Sequence, residues 1–283
     1  MAHGRVVFDK PNWFKGNLHT HTTRSDGKKE PEDAINWYKR HGYHFLAVTD
    51  HDLFSPGRAE AGFIVLSGVE MSTHTVGLNM NSVEKIPVGG NQQQEIDFIN
   101  AAGGVSIVAH PYWHGLTFAQ LESLQGYLAV EVFNSECDLH NGRGYAGIYW
   151  DYLLSLGKRV LGVAVDDTHW EGAEAGGGWI CVNSDSLTAE ELVQSLREGK
   201  FYSSQGPEIK QIVVEGDTIT VECSPAQRVN FITNAPAGRV IRADDAQLTQ
   251  ASFTARPGLT YVRIEVVDER GRTAWSNPIW LNG

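Results

Sequence analysis

Five times in the first two-thirds of the chain, a strand-length run stops at a histidine or a carboxylate. The first spans residues 16–21 and ends in His19-Thr20-His21, with a Ser25-Asp26-Gly27 turn just beyond. The others are residues 45–48 before Thr49-Asp50-His51, 63–66 before Gly68-Val69-Glu70, 105–108 before Ala109-His110, and 160–165 before Asp166-Asp167-Thr168-His169. Each apolar run has the length of a buried strand. If such strands are parallel neighbours, their C-terminal ends meet at one face and the polar residues there converge. The pattern constrains fold and chemistry together. It predicts a distributed cluster of metal-ligating side chains at one end of a parallel sheet.

At 283 residues the chain has room for one large domain, or a large one and a small one. With 41% hydrophobic residues and eight tryptophans, it is expected to pack a core. The net charge of −11 repels phosphate backbones at long range, so no nucleic-acid binding is expected. A small phosphorylated substrate stays compatible, because bound divalent cations invert the local field. Cys137, Cys181 and Cys223 are widely spaced, which argues against a disulfide framework or a zinc knuckle. The N-terminal residues lack the apolar core of a signal peptide, and no stretch approaches the roughly 18 apolar residues of a membrane span. The expectation is a cytoplasmic protein with no membrane partner. The sequence sets no oligomeric state.

Residues 12–205 alternate strand-like and helix-like segments. Pro31 opens residues 31–41, with Glu32 and Asp33 in the first turn, Lys39 and Arg40 in the last, and Gly42 as a stop. Residues 94–102, 145–156 and 188–198 carry further helical patterns, the last opened by a Thr188-Ala189-Glu190-Glu191 capping box. Strands alternating with helices predict an α/β fold with a parallel sheet or barrel. After Gly206-Pro207 the style changes. Strand-like runs at 209–214, 218–223, 229–233, 260–267 and 273–281 are separated by turns such as Gly216-Asp217 and Pro257-Gly258. The expected organisation is a metal-binding unit over residues 1–207 and a small all-β, sandwich-like domain over 208–283. The second unit has no histidine, so it is not expected to supply the site.

His19-x-His21 puts two imidazoles on one side of an extended segment, because side chains alternate with period two. With Asp26, His51, Glu70, His74, His110, Asp167 and His169 they make nine candidate ligands. Imidazole and carboxylate donors suit Zn2+, Mn2+ or Fe2+ and disfavour the thiolate chemistry of Cu(I) and iron–sulfur clusters. Nine are too many for one tetrahedral ion and enough for two or three, with a carboxylate such as Glu70 bridging. A hydroxide held between two ions would be a strong nucleophile, because metal binding lowers the pKa of water toward about 7. A lone buried histidine is usually structural, and His41 and His44, at a helix end, take that reading. Several paired clusters, each ending an apolar run, do not arise by chance.

A second group follows the run 128–133. Arg143 is a candidate for bidentate contact with a phosphate or carboxylate, and His140 for proton donation to a leaving group. Asn134 and Arg24 join Arg143 as candidate substrate-binding residues. Asp167, Glu70 and His140 are the candidate catalytic residues. Glu131 is either a ligand or a carboxylate that orients a histidine. Gly176-Gly177-Gly178 is no phosphate loop, since no Gly-Lys-Ser/Thr follows it.

Taken in order, His19-x-His21, Ser25-Asp26-Gly27, Thr49-Asp50-His51, Gly68-Val69-Glu70, Ala109-His110-Pro111 and Asp167-x-His169 resemble the motif set of the PHP superfamily, named for polymerase and histidinol phosphatase. The resemblance covers residues 14–206. It implies a distorted (β/α)7 TIM-like barrel, a two- or three-metal site at the C-terminal ends of its strands, and metal-dependent phosphoester hydrolysis. It also implies a ligand grouping. One ion takes His19, His21, Glu70 and Asp167; a second shares Glu70 and uses His74 and His110; a third uses Asp26, His51 and His169. Asp26 matches a ligand position that is histidine in some members. Glu131-Val132-Phe133-Asn134, Asn141-Gly142-Arg143-Gly144-Tyr145, Phe201-Tyr202-Ser203-Ser204-Gln205-Gly206-Pro207 and Ala274-Trp275-Ser276-Asn277-Pro278 are similar to a PHP branch that includes hydrolases of the aryl carbamate carbaryl.

The first expectation is therefore a hydrolase of small phosphomonoesters or phosphodiesters. The alternative is a carboxylester or carbamate hydrolase using the same centre. A third, of another class, is a non-catalytic metal-holding or carbohydrate-binding module.

Overall fold

Prolines, caps and apolar runs fix the local elements of this computed structural model, which describes residues 4–83, 85–244 and 247–281. The outer ends of both expected units, 1–3 and 282–283, lie outside the described residues. The strands are β1 (Arg5–Val6), β2 (Asn12–Asn17), β3 (Phe45–Ala47), β4 (Arg58–Glu60), β5 (Phe63–Leu66), β6 (Gly68–Met71), β7 (Thr75–Leu78), β8 (Val105–Val108), β9 (Ala129–Asn134), β10 (Leu161–Val165), β11 (Trp179–Ser184) and β12 (Phe201–Ser204). Between them lie α1 (Pro31–Arg40), α2 (Gln92–Ala101), α3 (Phe118–Ser123), α4 (Ser135–Asn141), α5 (Gly147–Ser155) and α6 (Ala189–Arg197). Then follow β13 (Ile209–Glu215), β14 (Thr218–Ala226), β15 (Arg228–Thr233), β16 (Arg239–Arg242), β17 (Leu248–Thr254), β18 (Tyr261–Val267), β19 (Thr273–Ser276) and β20 (Ile279–Trp280).

Pro31 sits in the first turn of α1, as its fixed φ favours. Thr188 caps α6 by accepting from Glu191 N. Two short helices, α3 and α4, escaped the sequence reading. Both are set by side-chain caps, Thr117 and Asn134, rather than by a long apolar stripe.

β2, β3 and β5 pair in parallel, as do β8, β9 and β10. The α/β class is as expected. The ladders do not draw the expected closed (β/α)7 barrel among the described residues. One sheet runs β10-β9-β8-β7-β6, and the other runs from β4 through β5, β3, β2 and β11 to β12 and onward. The two sheets adjoin at two places, neither of them a continuous ladder. Ser67 interrupts β5 and β6 and turns its hydroxyl to Met80 O. β10 and β2 touch through the Thr20–Thr168 bridge at their ends. β7 also reverses direction, antiparallel to both β6 and β8. Leu18, Leu66, Val76, Ile107, Val165 and Ile180 fill the space between the sheets.

The larger sheet does not stop at β12. It pairs antiparallel with β19, and through it joins β18, β15 and β16. A second, four-stranded sheet has the order β1-β13-β14-β17. Ile212, Val221 and Phe253 of that sheet pack on Phe231, Ile264 and Val266 of the larger one. No helix among the described residues is long and apolar enough to cross a membrane.

Candidate metal centre

The chain stays extended beyond β2, so His19 and His21 leave on one side, both fully buried. The end of β10 locks onto this segment: His21 N donates to Thr168 O at 3.1 Å, and Asp167 N to His19 O at 3.0 Å. Glu70, on β6, is held by its own N–H on Thr49 O and by Asp52 N on its carbonyl. Asp50 ties the following turn, accepting from Thr22 N at 2.7 Å and Ser25 Oγ at 2.8 Å.

Four donor atoms meet as a result. His19 Nε2 lies 3.1 Å from His21 Nε2, 3.0 Å from Glu70 Oε2 and 3.1 Å from Asp167 Oδ1. His21 Nε2 lies 3.2 Å from Glu70 Oε2 and 3.0 Å from Asp167 Oδ1. A tetrahedral ion with bonds of about 2.0–2.1 Å sets its ligands about 3.3 Å apart, so these spacings fit one. On the other oxygen of Glu70, His110 Nε2 stands at 3.1 Å and His74 Nδ1 at 3.7 Å. Asp26 gathers His51 Nε2 at 3.5 Å, His169 Nε2 at 3.4 Å and His21 Nδ1 at 3.8 Å. All nine sequence-derived candidates thus come together in three overlapping groups capable of holding an ion. The grouping differs from the expected one in that His21 also faces the third group.

The electrostatics fit a cation. Burial alone would raise Glu70, but the surrounding imidazoles of His19, His110 and His21 hold it well below the usual carboxylate range. Asp167 is likewise depressed against its burial by His19 and His21. Burial would lower His21, yet its hydrogen bonds to Asp167 and Glu70 push it up to about 9. His21 Nδ1 and His110 Nδ1 are buried without a hydrogen-bond partner. Buried polar atoms rarely stay unpaired without a ligand or a functional role. His74 (φ 65°), His110 (φ 25°) and Asp167 (φ 52°) occupy left-handed backbone, strain of the kind that collects at functional sites.

Glu131 is not among the clustered donors but holds them. Its Oε1 accepts from His19 Nδ1 at 2.7 Å, and its Oε2 from His110 N at 2.8 Å and Asn134 Nδ2 at 2.9 Å. With Nδ1 engaged by Glu131, His19 presents its Nε2 to the cluster.

The second group of sequence candidates does not face the cavity. Asn134 is spent on structure: its amide nitrogen serves Glu131 and Asp167 Oδ2, and its oxygen caps α4 through Cys137 N. His140 pairs with the buried Glu174 at 3.0 Å. Arg143 lies over the Tyr112 ring and donates to Trp113 O, while Arg24 donates to Ser55 Oγ and Phe54 O. The partners of His140, Arg143 and Arg24 are remote in sequence, so nothing in the motifs forecast them. The cavity has a volume of about 340 Å3, and besides the candidate ligands its walls include Lys28, Trp113, Glu136 and Glu171. Three of these sit two or three residues past a candidate ligand, a proximity that was the available signal.

No family model matches the chain. An uncharacterized protein of Methanocaldococcus jannaschii is 31% identical over 119 residues, 35% of this chain and 68% of that one. A 5'-3' exoribonuclease of Haemophilus influenzae is 34% identical over 80 residues, 24% of this chain but 29% of that protein. A two-domain protein of Bacteroides vulgatus, containing a predicted PHP-like metal-dependent phosphoesterase, shares the fold with a TM-score of 0.55 at 12% identity, over 92% of both chains. Fold and site define an α/β protein with an imidazole–carboxylate centre at its strand ends. The chain belongs to one family with the uncharacterized Methanocaldococcus jannaschii protein, and it shares its fold with a protein containing a predicted PHP-like metal-dependent phosphoesterase.

Proposed function

We propose that this chain is a metal-dependent hydrolase of small phosphoesters. The observation that carries the reading is the four-donor convergence of His19, His21, Glu70 and Asp167 beside two further groups that share Glu70 and His21. The proposed ligands are all nine clustered residues, for two or three ions of Mn2+, Zn2+ or Fe2+. Such ions supply a Lewis acid and an activated water when bound. The chain's own part is to orient the donors. Glu131 keeps the proton on His19 Nδ1, Asn134 steadies Asp167, and Trp113 and the Lys28–Glu171 pair wall a cavity of about 340 Å3. We read the two sheets as halves of a distorted (β/α)7 barrel that meet at Ser67 and at Thr20–Thr168, with the all-β unit taken from residue 208. The exoribonuclease similarity supports including phosphodiesters among the proposed substrates.

A carboxylester or carbamate substrate is the second reading. It is favoured by one observation: Arg24 and Arg143 are engaged elsewhere, and Lys28 is paired with Glu171 at 3.3 Å. No arginine lines the cavity among the described residues to meet a doubly charged phosphate.

Purified protein loaded with Mn2+ or Zn2+ separates the readings. The phosphoester reading expects p-nitrophenol release from the mono- or bis-phosphate ester, abolished by chelation and in Asp167→Ala. Much faster turnover of naphthyl acetate or naphthyl methylcarbamate would replace it with the second reading. Bound metal without hydrolysis of any ester would leave a non-catalytic metal-holding module.

A further inference from the structure

The sheet face opposite α6 carries a group of side chains that the metal centre does not use. Along β2, Trp13 and Lys15 share one face, and along β11 so do Trp179 and Cys181. The ladder aligns Lys15 with Cys181, and Cys181 with Tyr202 on β12. Ile180 and Val182 point the other way, into the core that Leu192 and Leu196 of α6 also join. Among the described residues, no helix contributes to the walls of the cavity on the Lys15 side. The turn at Gly206-Pro207 and the start of β13 wall it instead, enclosing about 450 Å3. That is the size range of small-molecule sites.

The Lys15 ammonium sits within this cavity between two rings, 3.7 Å from the Trp179 centroid and 4.0 Å from that of Tyr43. It is half-buried, and burial pulls its pKa down, with no side-chain hydrogen bond to offset the loss of water. Aromatic faces favour a cation but do not replace a counter-ion in a desolvated place. His44 adds a second donor. Its Nδ1 accepts from Lys15 N at 3.1 Å, so the neutral ring carries its proton on Nε2. Two aromatic platforms, Trp13 and Trp179, flank these donors, with Trp13 held edge-on by Tyr202 at 5.4 Å. The two exposed charges at the mouth, Glu208 and Lys210, are of opposite sign and leave Lys15 as the net charge of the cavity.

We propose that this cavity is a second ligand site, for a small flat organic anion whose ring stacks on the tryptophans and whose carboxylate meets Lys15 and His44. It needs no metal, so it stands apart from the hydrolase reading.

The test is calorimetric titration of the full chain, stripped of metal by chelation, with naphthalene-2-carboxylate. One saturable site is expected, with at least tenfold weaker binding of the neutral naphthalene-2-carboxamide to the same unaltered protein. Lys15→Met should show a similar loss, and Asp167→Ala should bind as the parent does. The proposal is overturned by no saturable binding, or by equal binding of acid and amide. Binding that survives in Lys15→Met and disappears in Asp167→Ala overturns it as well, because the ligand then sits in the metal centre.

Discussion

Glu131 touches three groups that the proposed reaction depends on: the His19 ring, the His110 backbone and the Asn134 amide that steadies Asp167. Glu131→Gln keeps the shape but offers His19 a weaker acceptor. Metal affinity is expected to fall about 10–100-fold, the usual cost of losing such a partner, read by competition with a chromophoric chelator. Glu131→Asp should recover part of it. His21 makes a pH prediction. Without metal its pKa is raised from 6.5 to about 9, because Asp167 and Glu70 outweigh its burial. A raised pKa contributes stability that is full below about 6.5 and fades as pH climbs through about 9. The metal-free melting temperature should therefore decline over that window. Ions bind the deprotonated ring, so their apparent affinity should rise over the same window. Melting curves with EDTA and with Mn2+ check both signs. The cluster was legible in the sequence because its members end buried runs or, like Asp26 and His74, lie in the turns just after them. His140 and Arg143 were not, because a loop side chain turns to whichever partner folding brings. Here those are Glu174 and the Trp113 carbonyl.

At the scale of elements, the His19–His21 segment depends on the turn that follows it. A Cβ on Gly27 would stand 2.7 Å from His21 C and Thr22 N, backbone atoms that have no room to yield. Gly27→Ala should cost about 1–3 kcal/mol by overpacking and weaken metal binding at the same time. Chemical denaturation with and without metal reads both. Parallel strands such as β3, β5 and β8 were readable as continuous apolar runs, since both their faces are covered. β7 was not. Thr75-Val76-Gly77-Leu78 is four residues with a glycine inside, and its reversed direction is a fact of pairing, not of composition. The same blindness hides the gap at Ser67, and with it the break in the expected barrel.

The whole molecule is tied across the point where the sequence changes style. β12 pairs with β19, Trp275 stacks on Phe133 at 6.0 Å, and the buried Arg263 grips Asp151 of α5 with two bonds of 2.6 and 2.7 Å. A chain ending at Pro207 would bare the edge of β12 and the ring of Phe133, exposure that favours aggregation. It is expected to elute as aggregate in size-exclusion chromatography, whereas the full chain should melt in a single calorimetric transition. The change of style at Gly206-Pro207 was legible, but sequence patterns mark composition, and this continuity is made by long-range pairing. One of those pairings has a consequence in time. Arg5 on β1 aligns with Val214 on β13, about 200 residues later. At a synthesis rate of about 5–20 residues per second, β1 waits roughly 10–40 s for its neighbour to be made. All nine clustered residues leave the ribosome before that neighbour does. A growing chain therefore holds a complete set of metal-seeking side chains while its first strand is still unanchored.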